Sequence, residues 1–303
     1  MQRRNFIKQT GAASLVLGLG GLSLQSFSKP LKKITILHTN DVHSHIDPFG
    51  PEDGRNANKG GIARRASLIE SIRRENPNTL LLDAGDIFQG TPYFNYYGGE
   101  LEFKLMSKLK YDVATLGNHD FDNGIDGLYA QLPHADFKFV SANYNFKNTV
   151  MDTHVQPYQI IIKDGIKIGI FGLGIELNGL VDKKLYKETE YLEPVEMTEE
   201  TTRVLKVDEQ CDLVICLSHL GYNYSNNPNK ISDLKLAAAT KDIDLIIGGH
   251  THTFLQKPTV VKNKEGKNLL VNQVGCFGLY LGRIDFYFDK TEKKGNDGAT
   301  IIV

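Results

Sequence analysis

Five times along this 303-residue chain, an apolar run of strand length ends in a cluster of Asp, His, Asn and Gly. The clusters are Thr39-Asn40-Asp41-Val42-His43-Ser44-His45, Asp83-Ala84-Gly85-Asp86, Gly117-Asn118-His119-Asp120, Ser218-His219-Leu220-Gly221 and Gly248-Gly249-His250-Thr251-His252. In sheets covered by helices, ligands sit just beyond the carboxyl ends of the strands. Five such ends, each loaded with cation-binding side chains, are expected to converge on one crevice. Taken singly, each has an ordinary reading. Asp41 and His43 could serve a turn and a helix cap, His219 could be a hydrogen-bonded core residue, and His250 and His252 could be loop residues. Five in order ask for a common purpose.

The segments between the clusters set the fold class. Strands are expected at Ile34 to His38, Thr79 to Leu82, Asp112 to Thr115, Lys138 to Ala142, Leu213 to Leu217 and Ile243 to Ile247. Between them lie helical patterns. Ile62, Ala66, Ile69 and Ile72 share one face, and Leu101, Leu105 and Leu109 make a stripe; Glu196 to Asp208 and Leu234 to Thr240 also read as helical. This interleaving predicts an α/β fold with the helices outside. Tyr158 to Ile162 and Lys167 to Leu173, joined through Asp164-Gly165, read as a hairpin. With a β-rich tail ending in Leu281 to Phe288, the hairpin argues against a purely parallel sheet. Val181 to Glu193 is charged and reads as a surface excursion. No repeat or low-complexity linker interrupts the chain, which predicts one domain after the N-terminal leader.

Carboxylate, amide oxygen and imidazole suit zinc, manganese, iron or cobalt better than copper(I) or an iron–sulfur cluster. Asp41 and His43 are two residues apart, so on an extended strand end both point the same way, and His250 and His252 repeat that spacing. Asp83 is placed to orient a ligand from behind. His38 reads as packed or as supporting a ligand from behind, His45 as exposed though able to approach the site, and His134 and His154 as surface residues. Tyr93, Phe94, Tyr96 and Tyr97 form an aromatic cluster beside the site, read first as packing and second as a base-stacking or partner surface. The three cysteines, Cys211, Cys216 and Cys276, are few and odd in number, so free thiols are expected and none is expected to bind metal.

In order and separation, the five clusters resemble those of the calcineurin-like metallophosphoesterase superfamily, and within it the catalytic domain of the 5′-nucleotidase family. Asp86-Ile87-Phe88-Gln89-Gly90-Thr91-Pro92 and Gly60-Gly61-Ile62-Ala63-Arg64 strengthen the likeness, which runs from Ile34 to Phe288. The resemblance implies a four-layer αββα sandwich of two mixed sheets flanked by helices. It implies two divalent metal ions: Asp41, His43 and His252 on one, Asn118, His219 and His250 on the other, and Asp86 shared. It also implies that Asn118 and His119 face the substrate phosphate, that Asp120 orients the His119 ring, and that a metal-activated water attacks phosphorus in line.

Two-domain members of that family add a C-terminal specificity domain, which is expected to be absent here. Three organisations stay open. The chain could be the catalytic half of a split nucleotidase whose specificity subunit is separate. It could instead be a stand-alone phosphatase or phosphodiesterase of relaxed specificity, acting on cyclic nucleotides or nucleotide sugars, or else a non-catalytic metal-binding partner subunit. A formal charge of -1 gives no electrostatic case for a nucleic-acid polymer. No apolar stretch after the leader is long enough for a transmembrane helix. Arg3-Arg4, then Asn5-Phe6-Ile7-Lys8 and an uncharged run from Gly11 to Leu24, resemble a twin-arginine export signal. The expectation is a signal peptide over residues 1–28, one catalytic domain over 29–303, and a periplasmic or extracellular location.

Overall fold

In the computed structural model, which describes residues 30–303, the two-residue alternation of strand side chains sorts the interior into layers. Along Lys32–Thr39, Ile34 and Ile36 point to one side and Leu37 to the other; along Thr79–Asp83, Leu80 and Leu82 oppose Leu81. The strands Ile166–Leu173 and Leu213–Ser218 behave alike, with Ile166, Ile168, Ile170, Leu213, Ile215 and Leu217 on one side and Phe171, Leu173, Val214 and Cys216 on the other. The first set from each sheet meets in a central core, Ile34 and Leu80 packing with Ile168 and Ile215. Ile69 and Ile72 of the helix Ile62–Glu75, with Phe103 and Met106 of Glu100–Lys108, cover the outer side of the first sheet. Leu236 and Ala237 of Asp233–Ala239, with Leu205, cover the second. The result is the expected αββα sandwich.

Both sheets have six strands and are mixed. The first runs in the order Glu292–Ile302, Tyr280–Asp289, Lys32–Thr39, Thr79–Asp83, Val113–Ala114, Lys138–Phe139. Its last four strands are parallel and its first two pair antiparallel. The second runs Thr259–Lys262, Asn268–Asn272, Leu245–Gly248, Leu213–Ser218, Ile166–Leu173, Tyr158–Lys163. Its four central strands are parallel and each edge pair is antiparallel. The hairpin forms where expected, and Asp164 and Gly165 both take positive φ, 49° and 73°, as a tight two-residue turn requires. Parallel strands in each sheet therefore send their carboxyl ends to one edge of the sandwich.

Several expectations need amendment. Asp112 to Thr115 contributes only Val113–Ala114, and Lys138 to Ala142 only Lys138–Phe139; beyond Ala114 the backbone leaves the ladder toward Asn118. The helix begun at Pro194 ends at Arg203 and continues as a π-helical turn over Val204–Asp208. The charged excursion from Val181 is docked: Tyr186 is buried, and Glu190–Tyr191 pairs with Tyr144–Asn145. The eleven-residue strand Glu292–Ile302 lay unnoticed in the sequence because it is polar and lies on a sheet edge. All three cysteines are free, as expected. The export signal predicted at residues 1–28 lies outside the described residues. Among those described, no helix is long and apolar enough to cross a membrane.

Candidate metal centre

Strand ends from both sheets meet at one edge of the sandwich. Asp41 and His43 follow Lys32–Thr39, Asp86 follows Thr79–Asp83, and Asn118 follows Val113–Ala114; His219 leaves Leu213–Ser218, and His250 and His252 follow Leu245–Gly248. The loops are laced together by backbone bonds: Asp41 N–H donates to the Gly85 carbonyl at 2.9 Å, and His43 N–H to that of Asp86 at 3.0 Å. Asp41, His43, Asp86, His250 and His252 all take positive φ, between 50° and 70°. Left-handed backbone is uncommon for residues other than glycine, although Asp and His adopt it more readily than most, and it gathers where a site must be aimed. Gly117 supplies clearance, since a Cβ there would lie 2.2 Å from Asp86 Oδ1.

The predicted metal residues gather in two groups. In the first, His43 Nε2 is 3.0 Å from His252 Nε2, which is 3.4 Å from Asp41 Oδ1. In the second, His219 Nε2 is 3.1 Å from Asp86 Oδ2, with His250 close by. Asn118 joins this group, its Oδ1 standing 2.8 Å from His250 Nδ1. Asp86 Oδ2 also lies 3.8 Å from His43 Nε2, which makes its carboxylate common to both groups. Each group draws on both sheets.

The donor set fits a pair of cations. Around a tetrahedral zinc with Zn–N of about 2.0–2.1 Å, neighbouring ligand atoms stand about 3.3 Å apart, close to the spacings here. The Nδ1 atoms of His43 and His219 face the carbonyls of Phe88 and Ala84, at 3.2 and 2.7 Å. A carbonyl only accepts, so the proton sits on Nδ1 and Nε2 offers its lone pair inward. His219 Nε2 is fully buried with no hydrogen bond of suitable direction. Without cations, carboxylates pull protons into the centre. Burial would lower His219, but Asp86 and then Asp41 push it up to about 10. The Asp41 hydrogen bond, with Cys276, pushes His252 up to about 10. Burial holds His250 down at about 4.

His119 borders the first group, its ring centroid 5.3 Å from that of His43. Its Nδ1 donates to Asp122 Oδ2 at 2.8 Å. The expectation that Asp120 orients this ring is therefore corrected. The Asp120 carboxylate points the other way and accepts four backbone N–H groups: Asp86 and Gly117 on Oδ2, Ile87 and Phe88 on Oδ1, at 2.8–3.1 Å. Asp120 shapes the loops on either side of Asp86, while Asp122 was missed. The signal was present: residues three apart share one face of a helical turn, and His119–Phe121 is such a turn. The Asp83 carboxylate orients no predicted metal ligand by a hydrogen bond; it accepts from Thr39 Oγ1 at 2.6 Å and from Gly85 N–H at 2.9 Å. Of the aromatic cluster, Phe94 packs against Phe88, Tyr93 donates to Asp47, and Tyr96 and Tyr97 are exposed.

The chain belongs to the calcineurin-like phosphoesterase family, whose sequence profile matches residues 34–254. It is 35% identical over 286 residues to a snake venom 5′-nucleotidase of Crotalus adamanteus, covering 87% of this chain and 46% of that protein. The structure of a 5′-nucleotidase precursor from Thermus thermophilus superposes with a TM-score of 0.81 at 34% identity, covering 90% of this chain and 55% of the other. The calcineurin-like phosphoesterase YfkN of Bacillus subtilis superposes with a TM-score of 0.72 at 28% identity, covering 90% and 91%. The chain spans about half the length of the curated relatives it matches first.

Proposed function

We propose that this protein hydrolyses nucleotide phosphoesters with the help of two divalent cations. Asp41, His43 and His252 would hold one, Asn118, His219 and His250 the other, and Asp86 both. The observation that carries this reading is Asp86: a single buried carboxylate oxygen lies 3.1 Å from one group's imidazole and 3.8 Å from the other's. A cation pair, when bound, lowers the pKa of a water and neutralises charge developing on a phosphoryl group.

The remaining chemistry falls to the chain itself. In this reading the Asn118 amide and the His119 ring would meet a phosphate held at the centre. The hydrogen bond that His119 donates to Asp122 raises the pKa of His119, and Asp86 adds to the effect. With Nδ1 held by Asp122, Nε2 is the nitrogen left to face the substrate. As imidazolium it can oppose the phosphoryl charge or give its proton to the departing alkoxide. Asp120 and Gly117 keep Asp86 in place, and the Phe88 and Ala84 carbonyls fix the tautomers of His43 and His219.

The substrate reading rests on the names of the relatives, several of which are 5′-nucleotidases. A separate specificity-giving polypeptide is part of the proposal, as is twin-arginine export of the protein. The test is phosphate release with Mn²⁺, Zn²⁺ or Co²⁺ from AMP, UDP-glucose, a cyclic nucleotide and bis-p-nitrophenyl phosphate. Turnover abolished by Asp86→Ala and by His119→Ala supports the reading, and the preferred substrate assigns the subclass. No turnover with two cations bound would overturn it for the chain acting alone.

A further inference from the structure

Beside the first group of metal residues lies a run of aromatic rings that neither the metal centre nor the core accounts for. Phe277 takes φ of 61°, an outlier for a bulky side chain, and its N–H donates to the Asp41 carbonyl at 2.7 Å. That backbone places its ring 5.9 Å from the His43 ring and 5.9 Å from the His252 ring, centroid to centroid. On its other side the ring lies 4.4 Å from His45 and 6.1 Å from Phe49. His45 stacks on Phe49 at 5.1 Å with the planes 14° apart. All three outer rings are half-buried, so each is held by its neighbours and keeps some surface. Asp47, between His45 and Phe49 in the chain, also lines an open cleft of about 500 Å³ with Pro92, Tyr93, Tyr96 and Tyr97.

We infer that Phe277, His45 and Phe49 form a stacking platform for the aromatic base of the substrate, built within this chain. The inference rests on the phosphoesterase reading and names the part of the substrate that reading leaves unplaced. A phosphate held at the metal centre leaves its sugar and base to extend outward. The rings begin at the ligand histidines and run away from them, in the order such a substrate needs. Stacking suits any base, because each has a π-face, and it ties up no buried polar group. Rings meant only to brace His43 and His252 would not need Phe49, which touches neither ring and reaches the centre only through Phe277 and His45.

The test compares AMP with ribose 5-phosphate, which carries the same ester without a base. Phe49→Leu and Phe277→Leu are expected to lower kcat/KM for AMP relative to ribose 5-phosphate by roughly tenfold, mainly through KM. Phe277→Tyr, which keeps a ring, is expected to restore the ratio. Equal losses on both substrates would mean that the rings only brace the ligands, and would overturn the inference, as would an unchanged ratio. If the wild-type protein with two Mn²⁺ bound turns over neither ester, the phosphoesterase reading is what has failed. Calorimetric binding of adenosine then decides the platform: binding lost in Phe49→Leu supports it, and no binding to wild type overturns it.

Discussion

His119 and Asp122 form a hydrogen-bonded pair, Nδ1 to Oδ2 at 2.8 Å, with each side chain about one-third exposed at the mouth of the metal centre. The neighbouring Asp120 is fully buried and spends both oxygens on backbone N–H groups. Two acidic residues one position apart from a common phenylalanine thus do unrelated work. Asp122→Asn is expected to lower kcat on the order of 10²-fold, with little change in stability because the site is solvated. Steady-state kinetics and thermal melts on the same preparation check both halves of the statement.

Asp120→Ala should show the reverse order of effects. Its four backbone donors would be left buried without an acceptor, at about 1–3 kcal/mol for each that water cannot reach. A loss of at least about 3 kcal/mol in urea unfolding is expected, with activity falling only as the Asp86 loop loosens. A variant as stable as wild type would show that water replaces the carboxylate.

Removal of the cations should destabilise the protein as well as silence it. A ligand at 100 times its dissociation constant stabilises a fold by about 2.7 kcal/mol per site. The melting temperature should therefore fall on dialysis against a chelator and recover on adding Mn²⁺ or Zn²⁺. Asp86→Asn, with its shared oxygen weakened, should recover little. An unchanged melting temperature would mean that the two groups do not hold cations tightly.

Acid sensitivity can be read far from the centre, at Asp285. Burial opposes its ionisation. The hydrogen bond from Thr35 Oγ1 at 2.6 Å and ion pairs with Lys33 and Arg283 at 3.1 and 3.3 Å outweigh burial, and hold its pKa below the ordinary 3.8. A depressed folded-state pKa contributes stability above the unfolded value, which is lost as pH falls through the folded one. Asp285→Asn should thus cost about 1–2 kcal/mol at pH 7. Its deficit against wild type should close as pH drops below 3.8. A constant deficit across that range would mean that packing, not charge, is lost.

Much of the centre was legible because its residues occupy five strand ends whose apolar runs, such as Leu213 to Leu217, are unmistakable in sequence. The two-residue spacing of Asp41 with His43, and of His250 with His252, carried the rest. Asp122 was not read because it lies past the Gly-Asn-His-Asp cluster. Its partnership depends on a single helical turn over His119–Phe121, too short to leave a periodic pattern. The strand Glu292–Ile302 was invisible for the opposite reason. A solvated edge strand needs no apolar alternation, and here its register follows pairing with Tyr280–Asp289 and the bonds of Thr300 to the Leu255 and Gln256 carbonyls. The Phe277 ring system could not be read at all, since it depends on a positive φ that an aromatic residue rarely adopts.

Neither group of ligands is complete on one sheet, and His43 and His252, 3.0 Å apart, are separated by 209 positions in the chain. Contacts of that span close late, after the entropy of long loops has been spent. An intermediate that has assembled only one sheet lacks at least one ligand of each proposed cation and so gains less from metal than the finished fold. Metal should then leave the folding rate nearly untouched and slow unfolding instead, acting as a latch on the finished sandwich rather than a template for it.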